Sequence, residues 1–116
     1  ELFGMRVTPV PLAHGNGLTL GFRFGSLAYL TDHSEIPEAS KPLLRDLDVL
    51  FLDALRHRPH PTHSTVAQSL ESARELQPRR TFFTHICHDL PHEQTEATFP
   101  ANVRLAYDGL QLEVSL

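Results

Sequence analysis

Three apolar runs in this sequence each lead into a residue able to bind a metal or move a proton. LAYLT runs into Asp32, VLFL into Asp53 and TFFT into His85. Short apolar runs bounded by polar turns have the pattern of buried strands, so each polar residue stands at a strand's carboxyl end. That edge is where layered α/β sheets bind ligands. Carboxylate oxygen and imidazole nitrogen suit a borderline cation such as Zn²⁺, at about 2.0–2.2 Å. Asp32 and His85 offer one donor of each kind. His63 stands just ahead of a predicted helix, where main-chain N–H groups and the helix dipole favour an anion such as phosphate. His57, His60 and His88 crowd the same stretches. Each of these residues also has an ordinary use: an Asp after a strand often forms a turn or a cap, and a histidine there is often packed and hydrogen-bonded. Their joint placement at one predicted edge is what makes them candidates.

The elements that carry these residues can be read from periodicity and turn chemistry. Residues 5–12 (MRVTPVPL) predict an edge strand, because Pro9 and Pro11 cannot donate to a central ladder. Gly15-Asn16-Gly17 is a turn, with His14 expected in it as a loop residue facing the cleft. Residues 18–24 and 27–31 predict two strands joined at Gly25-Ser26. A loop through Pro37 and a short helix over 38–46 come next, and then DVLFL, residues 48–52, reads as a strand buried on both faces. Val66, Leu70, Ala73 and Leu76 fall on one face of a helix over 65–76, with Ser64 as the expected N-cap and Pro78 as the stop. A strand over 81–84, a helix over 91–98 and a hairpin at Asp108-Gly109, between strands near 103–107 and 110–114, complete the chain. Strands alternating with helices predict an α/β layered fold, and with no repeat or linker residues 1–116 read as one unit.

Composition narrows the function class. A chain of 116 residues with 41% hydrophobic and 21% charged residues has the make-up of one globular domain, which excludes disorder. The one cysteine, Cys87, excludes an internal disulfide framework and fits a reducing, cytoplasmic setting. Ten basic residues against fourteen acidic ones, a net charge of −4, point away from nucleic acid and anionic membranes as partners. No apolar run approaches the roughly 18 residues of a membrane helix. A start at Glu1, with an extended segment almost at once, reads as a processed chain or a piece of a longer one.

Four words then become recognisable in order: YLTD (29–32), LDALRHRPHPTHST (52–65), FTHICHD (83–89) and AYDG (106–109). Together they resemble the second half of metallo-β-lactamase-fold hydrolases, over about residues 6–114. The likeness is greatest to the branch that includes the phosphodiesterase of the carbon–phosphorus lyase pathway, with tRNase Z enzymes more distant. The resemblance implies an α/β fold that is the C-terminal half of an αββα sandwich, a mixed sheet with flanking helices. It makes Asp32 the carboxylate bridging two divalent ions, Zn or Mn, and His85 a ligand to the second. His63 would contact the scissile phosphate and assist the leaving group, Asp53 would orient His63, and His88 would line the substrate site.

The sequence departs from that family in one large respect, because it contains no HxHxDH motif. His14, in LAHGNG, matches no ligand position. The resemblance therefore implies an incomplete metal site, active only with an N-terminal half that carries HxHxDH. It also implies an uncovered sheet face, closed by that half or by self-association. The expected reaction is hydrolysis of a small cyclic or diester phosphate. The rivals are a tRNA-trimming nuclease, whose long arm ahead of the bridging Asp has no counterpart in this sequence, and a non-catalytic half-domain that binds a partner.

Overall fold

Pro9 and Pro11 have no main-chain N–H to give, and the strand that holds them, β1 (Val7–His14), lies at one edge of a six-stranded sheet. The computed structural model describes residues 7–54, 64–84 and 96–106. β1 forms a hairpin with β2 (Gly17–Phe24), in register from Val7↔Phe24 to His14↔Gly17. Gly15 takes the positive φ, 63°, that the turn requires. His14 is thus the last residue of a strand rather than a loop residue, because the tight turn begins one position later. The outward side of β1 is bridged by the loop after Asp32, with Ala13 N–H donating to Glu35 O at 3.1 Å and Ser34 N–H to Ala13 O at 2.8 Å.

β3 (Leu27–Leu30) pairs antiparallel with β2, and the sense then changes. β4 (Val49–Asp53), β5 (Arg80–Thr84) and β6 (Val103–Leu105) run parallel to β3 and to one another, in the order β1-β2-β3-β4-β5-β6. Parallel neighbours need crossover connections. A 3₁₀ helix, Glu38–Leu44, with Pro42 inside it, occupies the first, and α1 (Val66–Leu76) the second. The sheet is mixed, as expected.

α1 begins at Thr65, not at the expected Ser64. The Gln68 N–H donates to Thr65 Oγ1 at 3.1 Å and the Thr65 N–H donates to Gln68 Oε1 at 2.8 Å, a reciprocal capping box. The Ser64 hydroxyl is buried instead, 2.8 Å from that of Ser69. At the other end Gln77 adopts the left-handed conformation and returns its N–H to Ala73 O at 2.9 Å, just ahead of Pro78.

Side chains alternate between the two faces of the sheet. Leu30, Leu50, Leu52, Phe83 and Leu105 join Leu44 and Val66 in one core, with Leu70, Leu76 and Phe99 packed against it. On the opposite face the register sets Phe22, Tyr29, Phe51 and Phe82 side by side across four strands. Tyr29–Phe51 and Phe51–Phe82 ring centroids are each 5.5 Å apart. This face is open on its β2 and β3 side, where Leu18 is 81% exposed, Leu20 49% and Tyr29 44%, whereas Phe82 on β5 is buried. Most of the expected helix over 91–98, the Asp108-Gly109 hairpin and the strand over 110–114 lie outside the described residues. Among the described residues no helix is long and apolar enough to cross a membrane.

Candidate functional site

Because β3, β4 and β5 are parallel and adjacent, their carboxyl ends open along one edge. Leu30 is level with Leu52, and Asp53 with Thr84. Asp32 lies two residues past the end of β3, while Asp53 is the last residue of β4 and is fully buried. The Ala54 N–H donates to Thr84 O at 3.0 Å, continuing the β4–β5 pairing by one step.

A buried carboxylate is costly unless hydrogen bonds replace its water. Asp53 has two such bonds to one oxygen from His33, a residue that sequence reasoning does not single out. The His33 main-chain N–H donates to Asp53 Oδ1 at 3.0 Å, and the ring Nδ1 donates to the same atom. Since a carboxylate only accepts, the proton of this contact belongs to Nδ1. His33 is 1% exposed. The family resemblance assigns Asp53 to orient His63. The partner observed among the described residues is His33, and His63 itself lies outside them.

Two further bonds join this pair to the start of α1, and a third links the two residues that make them. Ser64 N–H donates to His33 O at 2.8 Å, Ser69 Oγ donates to Asp53 O at 2.6 Å, and the Ser69 and Ser64 hydroxyls are 2.8 Å apart. The start of α1 is thereby strapped to the edge that carries Asp32 and Asp53.

Asp32 and Asp53 are therefore brought to one edge. His63, His85 and His88 lie outside the described residues, but the chain neighbours of the first two, Ser64 and Thr84, are described and both stand at this edge. Thr84 Oγ1 is buried and makes no hydrogen bond among the described residues, which fits an edge built to receive a further group. Among the described residues no set of three or more His, Cys, Asp and Glu side chains could hold a metal. Beside the edge, Lys41 bridges Glu38 at 2.6 Å and Glu75 at 2.7 Å, linking the 3₁₀ helix to α1. The hydrogen bond that the lysine donates to Glu38, then the one to Glu75, raises its pKa above the ordinary value.

A family model described as a beta-lactamase superfamily domain matches residues 1–86. The chain belongs to the beta-lactamase superfamily. Within it, the chain is 59% identical to a crystal structure described as a new diphosphatase from the PhnP family. The TM-score is 0.98, over 100% of this chain and 46% of that one. The YhfI protein of Bacillus subtilis, a metallo-β-lactamase fold protein, shares 18% identity at a TM-score of 0.77, over 95% of this chain and 50% of its own. The short form of human tRNase Z shares 19% identity at 0.75, over 100% and 44%. The last two likenesses show the superfamily fold alone. Among curated proteins, an octanoyltransferase of Porphyromonas gingivalis is 29% identical over 113 residues, 96% of this chain but 23% of that protein. The chain thus spans half or less of the length of these relatives. The resemblance read from YLTD, FTHICHD and their companions is borne out, with tRNase Z as the more distant relative.

Proposed function

We propose that this chain is part of a metal-dependent hydrolase that cleaves a small phosphodiester or a diphosphate. The observation that carries this reading is the 59% identity to a PhnP-family diphosphatase along the whole of this chain. The geometry supports it, because two acids and a helix N-terminus converge on one strand-end edge.

Asp32 and His85 are the residues that would hold divalent metal, Zn or Mn, and Asp32 would bridge two ions. Such a pair of ions supplies Lewis acidity and lowers the pKa of a bound water. Two donors are too few for a stable site, so the remaining ligands come from a second half of the fold with HxHxDH. The open part of this face, along Leu18, Leu20, Phe22 and Tyr29, supports that arrangement, since a second sheet packed about 10 Å away would cover it.

The chain's own residues divide the remaining work. α1 starts beside this edge, where the positive end of its dipole would favour the charge of a phosphate. His63, one residue ahead of Ser64, donates a proton or hydrogen bond to the departing oxygen, and His88 lines the substrate site. Water adds to phosphorus and gives up one proton to solvent, the P–O bond to the leaving group breaks, and that oxygen takes its proton from His63, which regains one from solvent. Asp53 does not act alone on His63, for it is also held by His33. The net charge of −4 favours a small substrate over nucleic acid.

The test uses the full-length protein that contains this chain, loaded with Zn²⁺ or Mn²⁺ and offered bis(p-nitrophenyl) phosphate and a disubstituted diphosphate. Chelator-sensitive hydrolysis of at least one, lost in Asp32→Asn, is expected. A metal-loaded protein that cleaves neither would overturn the reading.

A further inference from the structure

The site edge is tied together by a closed ring of four buried residues: His33, Asp53, Ser69 and Ser64, none more than 2% exposed. His33 donates twice to Asp53 Oδ1, the Asp53 carbonyl accepts from Ser69 Oγ, Ser69 Oγ meets Ser64 Oγ, and the Ser64 N–H returns to the His33 carbonyl. The ring joins three separate pieces of chain: the loop after β3, the end of β4 and the start of α1. Two of its members are covalent neighbours of residues assigned to the site, His33 following Asp32 and Ser64 following His63.

We propose that His33 is a positioning residue, which through Asp53 and Ser64 sets Asp32 against the chain entering α1. The inference rests on the hydrolase reading. Its physical basis is that His33 engages the ring with both main-chain groups and its side chain, so the backbone direction just past Asp32 is set by β4 and α1 together. Stability alone gives a poor account of this arrangement. Replacing a buried ionisable pair by apolar groups of similar volume is often neutral or stabilising, so a core-filling role would be served by leucine. What the polar ring adds is direction, because each hydrogen bond weakens steeply when its donor turns away.

The test reads metal affinity by competition with a chromogenic chelator, together with kcat and KM on bis(p-nitrophenyl) phosphate, in the full-length metal-loaded protein. In His33→Leu the metal should bind roughly 10–100-fold more weakly, as is typical when a partner behind a ligand is removed, and kcat should fall by a similar factor while KM moves little. His33→Asn, whose side-chain amide sets an N–H near the position of Nδ1, should recover most of both. A folded His33→Leu protein with wild-type metal affinity and kcat overturns the proposal, as does equal loss in the leucine and asparagine variants, which would mark a packing role. If His33→Leu does not fold, Ser69→Ala opens the ring from its far side without touching the loop of Asp32. Weakened metal binding there supports the proposal, and wild-type values overturn it. Failure of the hydrolase reading is a separate result: it shows in the wild-type protein as absence of metal binding or hydrolysis, before any variant is compared.

Discussion

Asp53 and Thr84 are register partners at the ends of β4 and β5, yet only one of them has its side chain satisfied from within the described fold. Asp53 is held by His33, whereas Thr84 Oγ1 is buried without a hydrogen bond among the described residues. A buried hydroxyl left unpaired costs about 1–3 kcal/mol, and replacing it with an apolar group of the same shape removes that cost. Thr84→Val should therefore unfold no earlier than wild type in metal-free protein. If the hydroxyl meets a bound group, the same variant should turn over more slowly when metal-loaded. Thermal unfolding without metal and kcat with it check the two halves, and a destabilised metal-free variant would show that the hydroxyl has a partner within the fold.

Asp32 and His63 are expected to fail in different ways. Asp32→Asn should lower metal content and reduce turnover by more than about 100-fold, beyond the usual effect of a partner behind a ligand. His63→Ala should keep its metal and lose roughly 10²–10⁴-fold in kcat, the range of one proton-transfer group. Metal analysis beside steady-state kinetics separates the two, and metal loss in His63→Ala would contradict a leaving-group role for that histidine.

The open aromatic face predicts association. Produced alone, the 116-residue chain should sediment as a self-associated species, and Phe22→Ser combined with Tyr29→Ser should shift it toward monomer. A wild-type chain that stays monomeric at high concentration would show that the face needs no cover.

Thr65→Ala removes the hydroxyl that accepts from the Gln68 N–H at the start of α1, leaving only the main-chain half of the box, and should cost about 0.5–2 kcal/mol in urea unfolding. Because this turn also carries Ser64, which is bonded to His33, the variant should lose activity before it loses its fold.

Lys41 gives a prediction in pH. Its ammonium is raised above the ordinary 10.5 by Glu38 and then Glu75. A raised folded value means that the contribution is fully present below the unfolded pKa and is lost as pH climbs through the folded one. Lys41→Met should melt slightly below wild type at neutral pH, with the gap closing above about pH 10.5 and also in high salt, since the pairs are at the surface. A gap unchanged by either would mean that the link between the 3₁₀ helix and α1 is not ionic.

Much of the scaffold is legible in the sequence, and the reasons are local. Proline at positions 9 and 11 forces an edge strand, and a four-three-three spacing of Val66, Leu70, Ala73 and Leu76 forces a helix face. The helix start reads one residue early because Ser64 is by type at least as good a cap as Thr65. Gln68, three places after Thr65 and four after Ser64, is the residue that decides between them. His33 escapes the sequence for a non-local reason. It lies 20 residues from Asp53, and only the parallel pairing of β3 with β4 brings the two together, a pairing that periodicity does not encode. The roles of His63, His85 and His88 rest on likeness to known motifs, since spacing alone places them no closer than a shared neighbourhood.

The proline edge has a consequence for how this chain behaves in a crowded solution. Ala13 turns its main-chain groups away from β2 toward Ser34 and Glu35, so by the alternation of a strand Pro9 and Pro11 turn theirs the same way. Along that margin two positions offer no donor, the carbonyl of Pro11 is taken by Ser40 Oγ at 2.6 Å, and both groups of Ala13 are already used. A free strand from another molecule finds almost nothing there to template on. The exposed Leu18, Leu20 and Phe22 can therefore meet a partner face to face, while the ladder-by-ladder growth that turns sticky sheets into fibrils finds no foothold along the β1 margin.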